Sequence, residues 1–228
     1  MDYGVQFNKL MYERLMTGGN ITLFSPHDVP GLYDAFFADQ DEFKRLYEQA
    51  ERKTSIRKKT ISATELFSAF MQERKDTGRI YLQNVDHANS HSSFKTEVAP
   101  IKQSNLCCEI DLPTKPLNDV KDPDGEIALC TLSAINWGIF KNPQDMEKAC
   151  TLAVRGLDAL LSYQNYPIIA AQMATENRRP LGIGIINLAF FLAKNDVSYS
   201  DPDALKLVDT WAQHWSYYLI KASADLAV

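Results

Sequence analysis

The sequence lacks the features that mark several large classes of protein. No apolar run reaches the ~18 residues of a membrane span, and the first residues show neither the basic nor the apolar segment of a signal peptide. A formal net charge of −5 provides no overall positive field for DNA or an anionic membrane. The four cysteines include no Cys-X-X-Cys spacing, which argues against a disulfide scaffold, a thioredoxin-like motif and a cysteine-based zinc site. We therefore expect a cytoplasmic protein with reduced thiols that binds no DNA, membrane or metal.

Helical periodicity dominates the rest of the sequence. Apolar residues recur at helical spacing in residues 31–50, and Ser62-Ala63-Thr64-Glu65 is typical of a capping box that opens a helix, which Gly78 can end. Asn142-Pro143 and Asp201-Pro202 each precede a further helical pattern. The second of these patterns predicts a core-facing helix that runs from Leu205 to Leu226.

Short strands are predicted between these helices, at Asn20–Phe24, Arg79–Gln83 and Ile127–Ile135. Because strands alternate with helices, the sequence predicts an α/β fold with a largely parallel sheet. Residues 84–124 differ, since they are mostly irregular and proline-bearing. A connection of this length inside a compact domain is typical of a functional loop, and this one contains an adjacent cysteine pair.

The stretch around that cysteine pair is the most informative. If it is extended, its side chains alternate between two faces. One face then presents Asn105, Cys107 and Glu109, and the other, mostly apolar, presents Leu106, Cys108 and Ile110. The alternative is a half-buried strand with a polar solvent face and no chemistry.

The trio of Asn105, Cys107 and Glu109 is chemically coherent. The amide can hold hydroxyl groups by hydrogen bonds, and the carboxylate can accept a proton from a substrate hydroxyl. A nearby carboxylate would raise the pKa of the thiol, which suits a neutral S–H group that loses a hydrogen atom better than a thiolate nucleophile. Of the other cysteines, Cys130 follows an apolar run and Cys150 lies on a helical apolar face, and both patterns are typical of buried structural thiols.

Two further patterns are weak. His87 and His91 have the spacing of two helical metal ligands, but the run between them looks like a loop. Gly182-Ile183-Gly184 begins like a dinucleotide fingerprint, but Asn187 stands where the third glycine belongs.

Several segments, taken in order, resemble a known family. The chain is similar to class I ribonucleotide reductase large (alpha, catalytic) subunits over essentially its whole length, and most of all to the bacterial and phage class Ia type. The segments that carry the resemblance are Phe24–Tyr33, Thr77–Asp86, Ser104–Ile110 with Leu112-Pro113-Thr114, Gly125–Leu132 and Arg179–Gly184.

The resemblance implies a fold and a reaction. The fold is a ten-stranded α/β barrel, two antiparallel halves of parallel strands, with residues 1–228 as its central portion and a finger loop at about 100–115. The reaction is the reduction of ribonucleoside diphosphates to deoxyribonucleoside diphosphates for DNA synthesis. Cys107 would become a thiyl radical that takes the 3′ hydrogen of the ribose, Glu109 would accept the proton of the 3′ hydroxyl, and Asn105 would bind the substrate hydroxyls. Cys130 matches one of two cysteines that supply the reducing electrons and end as a disulfide.

The resemblance also implies what lies outside this chain. The partner of Cys130, the ATP and dNTP effector sites, the later phosphate-binding segment, the C-terminal cysteine pair and the radical-transfer tyrosines all belong to other parts of the family's large subunit. The radical would come from a small subunit with a di-iron centre and a tyrosyl radical, and thioredoxin or glutaredoxin would reduce the disulfide. We expect an internal segment, about a third of a subunit, that is inactive alone and needs no cofactor of its own.

Two alternatives stay open after the resemblance. The first is a non-catalytic fragment or interaction module that keeps the fold, although the joint presence of Asn105, Cys107, Glu109 and Cys130 speaks against a lost reaction. The second is an unrelated thiol-redox protein, for which a Cys-X-X-Cys motif would be expected.

Overall fold

A computed structural model describes residues 2–228. The chain divides into two compact units, Met1–Lys115 and Pro116–Val228. The first unit contains β1 (Tyr3–Phe7), α1 (Lys9–Met16), β2 (Asn20–Phe24), α2 (Leu32–Ala38), α3 (Gln40–Arg52), β3 (Lys58–Ser62), α4 (Ala63–Thr77), β4 (Ile80–Asn84) and α5 (Val85–Ser90). The second unit contains β5 (Thr131–Asn136), α6 (Glu147–Tyr163), α7 (Ile169–Arg178), β6 (Leu181–Ile186), α8 (Leu188–Lys194) and α9 (Pro202–Leu226).

The described strands form three two-stranded sheets. In the first unit β1 and β4 are parallel and β2 and β3 are antiparallel, and in the second unit β5 and β6 are parallel. The α/β prediction is therefore confirmed, and two of the three pairs are parallel. The described residues form no closed barrel. Within residues 2–228, no helix combines the length and the apolar character needed to cross a membrane.

The strand predictions hold to different degrees. The prediction for β2 is confirmed residue for residue, and β4 is displaced by one residue. The prediction for Ile127–Ile135 is wrong in its first half, because only Thr131–Asn136 forms a strand. The backbone N–H of Ile127 donates instead to the carbonyl of Ala170 (3.2 Å), so this segment is held by α7 rather than by a neighbouring strand.

Helix α4 begins and ends where the sequence predicts, but its predicted capping box is wrong. Ser62 is the last residue of β3 and makes no side-chain cap bond, and the backbone N–H of Ala63 donates to the carbonyl of Gly19 (3.0 Å). At the other end Gly78 adopts a left-handed conformation (φ 65°), which glycine does without steric cost.

The helical pattern of residues 31–50 is divided between α2 and α3 in the structure. Asp39, with an extended backbone, interrupts it, and its carboxylate accepts from the N–H groups of Asp41 and Glu42 (3.1 and 3.0 Å). The predicted apolar face still packs together, with Leu32, Phe43 and Tyr47 in the core.

The second unit is built on an aromatic core. The rings of Trp137, Phe191 and Trp211 pack edge to face or tilted, with centroids 4.5 Å apart for Phe191–Trp211 and 5.6 Å for Trp137–Phe191. The predicted apolar face of α6 is buried, including Cys150. On α9 the predicted face packs on the core from Val208 to Ala222, but its two end residues, Leu205 and Leu226, are exposed.

Candidate active site

Residues 104–111 form a narrow hairpin-like loop in the first unit. Ser104 and Asp111 make an isolated antiparallel bridge, and the N–H of Asn105 donates to the carbonyl of Ile110 (3.2 Å). The N–H of Cys108 donates to the carbonyl of Asn105 (3.1 Å), which closes a turn with Cys107 at its tip. The extended conformation, in which side chains would alternate between two faces, is therefore not formed, because the loop's own hydrogen bonds fold the chain back on itself.

Asn105 is the residue that makes this turn. Its Oδ1 accepts from the backbone N–H of Ile110 (3.1 Å), which adds a side-chain bond to the two backbone bonds of the loop. Cys108 adopts a positive φ of 61°, which is uncommon outside glycine, and the hydroxyl of Ser104 lies 3.3 Å from its sulfur.

The side chains of the predicted trio are all accessible. Asn105, Cys107 and Glu109 are exposed, whereas Cys108 and Ile110 are half-buried. Leu106, predicted on the packed face, is 60% exposed at the turn. A cavity of about 310 Å³ lies beside the loop, and Asn105, Cys108 and Gln83 are among the residues that line it. The loop thus presents a thiol, an amide and a carboxylate at one accessible place, and the role of each remains a prediction.

The base of the loop is fixed by Asn89, a residue that the sequence gives no reason to select. Its Oδ1 accepts from the N–H of Ile101 and its Nδ2 donates to the carbonyl of Ile101, both at 2.9 Å. Both residues are buried. A buried bidentate contact of this kind is costly to break, so the loop leaves the core from a set point.

Tyr81, on β4, is a second residue that sequence reasoning missed. The negative charge of an ionised Cys107 raises the pKa of the Tyr81 phenol above its ordinary value, with partial burial and a hydrogen bond to Cys107 acting in the same direction. The only indication of Tyr81 in the sequence is that it lies on the predicted strand Arg79–Gln83.

Cys130 lies in the second unit, half-buried and directly before β5. A Cβ on Gly182, in the neighbouring strand β6, would be 3.1 Å from its sulfur and 2.5 Å from Leu132 Cδ2. Gly182 thus leaves the space that the thiol occupies, and it lies within a strand rather than in a phosphate-binding turn. Cys150 is fully buried, and burial raises the pKa of its thiol to about 11.

The segment before Cys130 is held by a buried ion pair. Glu126 Oε2 and Arg178 Nη1 are 2.6 Å apart, and both side chains are largely buried. A pair with so little exposure is costly to break because the remaining charge would stay unpaired. The ion pair fixes the chain at Glu126, four residues before Cys130, next to the end of α7.

The other candidate sites have no support from the geometry. His87 belongs to α5 and His91 follows its end, so the prediction of a loop there is wrong. Their rings are 5.6 Å apart, and within residues 2–228 no group of three His, Cys, Asp or Glu residues could hold a metal ion. The described cysteines form no disulfide.

The chain is similar to known proteins along its entire length. A family profile described as "Ribonucleotide reductase, barrel domain" matches residues 1–228. Relatives named ribonucleoside-diphosphate reductase subunit alpha are 60% identical in Haemophilus influenzae and 52% identical in Enterobacteria phage T4. The "reductase 1 subunit alpha" of Escherichia coli is 62% identical. Each match covers 100% of this chain and 30% of the relative, so the chain spans about a third of the length of these relatives.

Proposed function

The chain belongs to the ribonucleotide reductase family, and on that premise we propose that residues 1–228 form the central portion of the barrel domain of a ribonucleoside-diphosphate reductase large subunit. The observation that carries the proposal is the hairpin-like loop with exposed Cys107 at its tip and exposed Asn105 and Glu109 on either side. This loop is the finger loop, about residues 100–115, and the three strand pairs are part of a ten-stranded barrel.

The loop residues divide the first half of the reaction. The Cys107 thiol gives up its hydrogen atom to the radical supplied from outside, and the resulting thiyl takes the 3′ hydrogen of the ribose. Glu109 accepts the proton of the 3′ hydroxyl, for which a neighbouring carboxylate is a suitable base. Asn105 donates from its Nδ2, since its Oδ1 already accepts from the loop backbone. The cavity beside the loop, which Asn105 lines, offers space for the ribose.

Cys130 belongs to the second half of the reaction. One ribonucleoside diphosphate and one pair of thiols give one 2′-deoxyribonucleoside diphosphate, one disulfide and one water. Cys130 supplies one of these two thiols, and the space left by Gly182 accommodates its sulfur. Cys150 takes no part, because its thiol is fully buried in the core of the second unit.

The proposal includes partners in the cytoplasm. A small subunit with a di-iron centre and a tyrosyl radical supplies the radical, a thioredoxin-type or glutaredoxin-type dithiol reduces the disulfide, and the remaining large-subunit sequence supplies the second thiol and the effector sites. Alone, the chain would expose sheet edges that the remaining strands of the barrel cover.

Reduction of cytidine diphosphate tests this function. The full-length large subunit, mixed with its small subunit and no external reductant, should form deoxycytidine diphosphate in proportion to the thiols oxidised. The 228-residue chain, given the same small subunit and a dithiol, should form none. Failure of the full-length subunit to reduce the nucleotide, or turnover by the chain alone, would contradict the proposal.

A further inference from the structure

Two glutamines on the β1–β4 sheet share one face. The strands are parallel and in register, with Gly4 beside Tyr81 and Gln6 beside Gln83. Because side chains alternate along a strand, these four residues point to the same side. The side-chain Nε2 of Gln6 donates to Oε1 of Gln83 (2.8 Å), so the two amides form one connected group.

This pair of amides holds both arms of the loop that carries Cys107. The Nε2 of Gln6 also donates to the backbone carbonyl of Lys102 (2.7 Å), on the arm that enters the loop. The Nε2 of Gln83 donates to Oδ1 of Asp111 (2.6 Å), on the arm that leaves it. Asp111 is also the bridge partner of Ser104, so the contact acts where the two arms meet.

The burial of Gln83 makes this arrangement strong and specific. Gln83 is 7% exposed, and both ends of its amide are used. A buried amide that loses a partner is left with an unsatisfied polar atom, whereas an exposed one would turn to water. The position of the loop is thereby coupled to the strands.

We propose that Gln6 and Gln83, acting on Lys102 and Asp111, form a glutamine clamp whose role is to set the position of Cys107 for hydrogen-atom transfer. The members of the clamp are positioning residues, and the inference rests on the proposed function. The clamp holds the loop over the face of the β1–β4 sheet on which Tyr81 also lies. A displacement of the reacting atom by about 1 Å can cost about 100-fold in rate. A loop that the clamp no longer holds in place should therefore lower kcat.

An exchange of donor and acceptor across the Gln83–Asp111 contact tests the clamp in the full-length enzyme. Gln83→Glu places two carboxylates against each other and should lower kcat by about 10- to 100-fold, with KM changed less than about threefold. Asp111→Asn keeps an oxygen that can accept from Gln83 and should be nearly as active as the wild type. The double variant Gln83→Glu/Asp111→Asn reverses the bond with the same net charge and should recover most of the activity lost in Gln83→Glu.

The exposed pair Gln72–Asp76 provides the matched control. Its side chains make the same amide-to-carboxylate bond (2.7 Å) on the surface of α4. Gln72→Glu and Asp76→Asn should leave kcat and KM unchanged. If Gln83→Glu does not fold, Asp111→Ala replaces it, since it removes the acceptor from the loop side, and it should show the same loss of kcat.

The outcomes separate the clamp from the function itself. Wild-type kcat in Gln83→Glu and Asp111→Ala would overturn the clamp while leaving the reductase assignment intact. The clamp would also be overturned by a double variant no more active than Gln83→Glu, or by a rise in KM at constant kcat, which would make Gln83 a substrate ligand. A wild-type enzyme that does not reduce the nucleotide would instead remove the proposed function.

Discussion

The backbone N–H of Ile110 donates to the side-chain Oδ1 of Asn105 at 3.1 Å. The amide of Asn105 is therefore divided between two tasks, since its oxygen holds the turn and its Nδ2 remains for a ligand. Because of this division, Asn105→Asp and Asn105→Ala should differ in their effects. They would not differ in this way if Asn105 only bound substrate or only held the turn.

Asn105→Asp should keep the turn and lose the donor to the substrate. We expect kcat/KM to fall about tenfold, the equivalent of about 1.4 kcal/mol for one lost hydrogen bond, with unchanged hydrogen exchange in residues 104–111. Asn105→Ala should lose both the turn contact and the donor to the substrate, so the backbone amides of the loop should also exchange hydrogen faster. Equal exchange in Asn105→Ala and the wild type would show that the side chain does not hold the turn.

Gly182→Ala should disturb Cys130 through a direct steric contact. The new Cβ would lie 3.1 Å from the Cys130 sulfur and 2.5 Å from Leu132 Cδ2, and Leu132 is exposed enough to move. We expect a several-fold change in the rate of Cys130 alkylation in the native enzyme and a lower rate of nucleotide reduction. Gly184→Ala is the matched control on the same strand, because its Cβ would meet only Ser133 O at 4.0 Å. Equal effects of the two substitutions would contradict the role given to Gly182.

The ion pair between Arg14 and Glu51 should stabilise the first unit in a pH-dependent way. Burial acts to raise the pKa of Glu51, but hydrogen bonds from Arg14 (2.6 Å) and Thr22 outweigh it and the pKa is lowered. The stabilisation is therefore present above the ordinary pKa of a glutamate and is lost as the pH falls through the lowered value. Glu51→Gln should cost about 1–2 kcal/mol near neutral pH and progressively less in acid.

Chemical denaturation at several pH values checks this prediction. Glu13→Gln serves as the control, because Glu13 pairs with Lys44 at an exposed position (2.9 Å). This substitution should change the free energy of unfolding by less than about 0.5 kcal/mol. A destabilisation by Glu51→Gln that stays constant into acid would contradict the assignment.

Much of the fold follows from local sequence patterns. The limits of α4 come from a strand end and a left-handed glycine, and the apolar spacing of α6 correctly predicts that Cys150 is buried. These features depend on residues a few positions apart, where periodicity and turn chemistry act directly. The helical break at Asp39 is also local, but an aspartate within an amphipathic pattern does not by itself reveal that it caps a second helix.

The supports of the candidate site could not be predicted in the same way. The sequence pattern selects the exposed trio of the loop, but it does not distinguish an extended strand from a turn, because that choice depends on Asn105 reaching Ile110. The contact between Gln83 and Asp111 joins positions 28 residues apart, and Gln6 and Gln83 are 77 apart. Such contacts exist only after the strands have paired, so no spacing in the sequence indicates them.

Cys130→Ser should separate the two halves of the reaction. The radical step at Cys107 could still begin, but one reducing thiol is absent, so the substrate radical should decay without normal product. We expect loss of the small-subunit radical on mixing with cytidine diphosphate, together with little deoxycytidine diphosphate. Normal multiple turnover in Cys130→Ser would remove Cys130 from the reducing pair.

Multiple-turnover reduction by Cys107→Ser in the full-length enzyme tests whether Cys107 carries the radical. A serine hydroxyl is close to the thiol in size and still forms hydrogen bonds, but its O–H bond is much harder to break homolytically. We expect no nucleotide reduction by Cys107→Ser, with substrate binding nearly intact. Substantial turnover by Cys107→Ser, together with its loss in Glu109→Gln, would contradict the thiyl assignment and leave acid–base chemistry at Glu109 to carry the reaction.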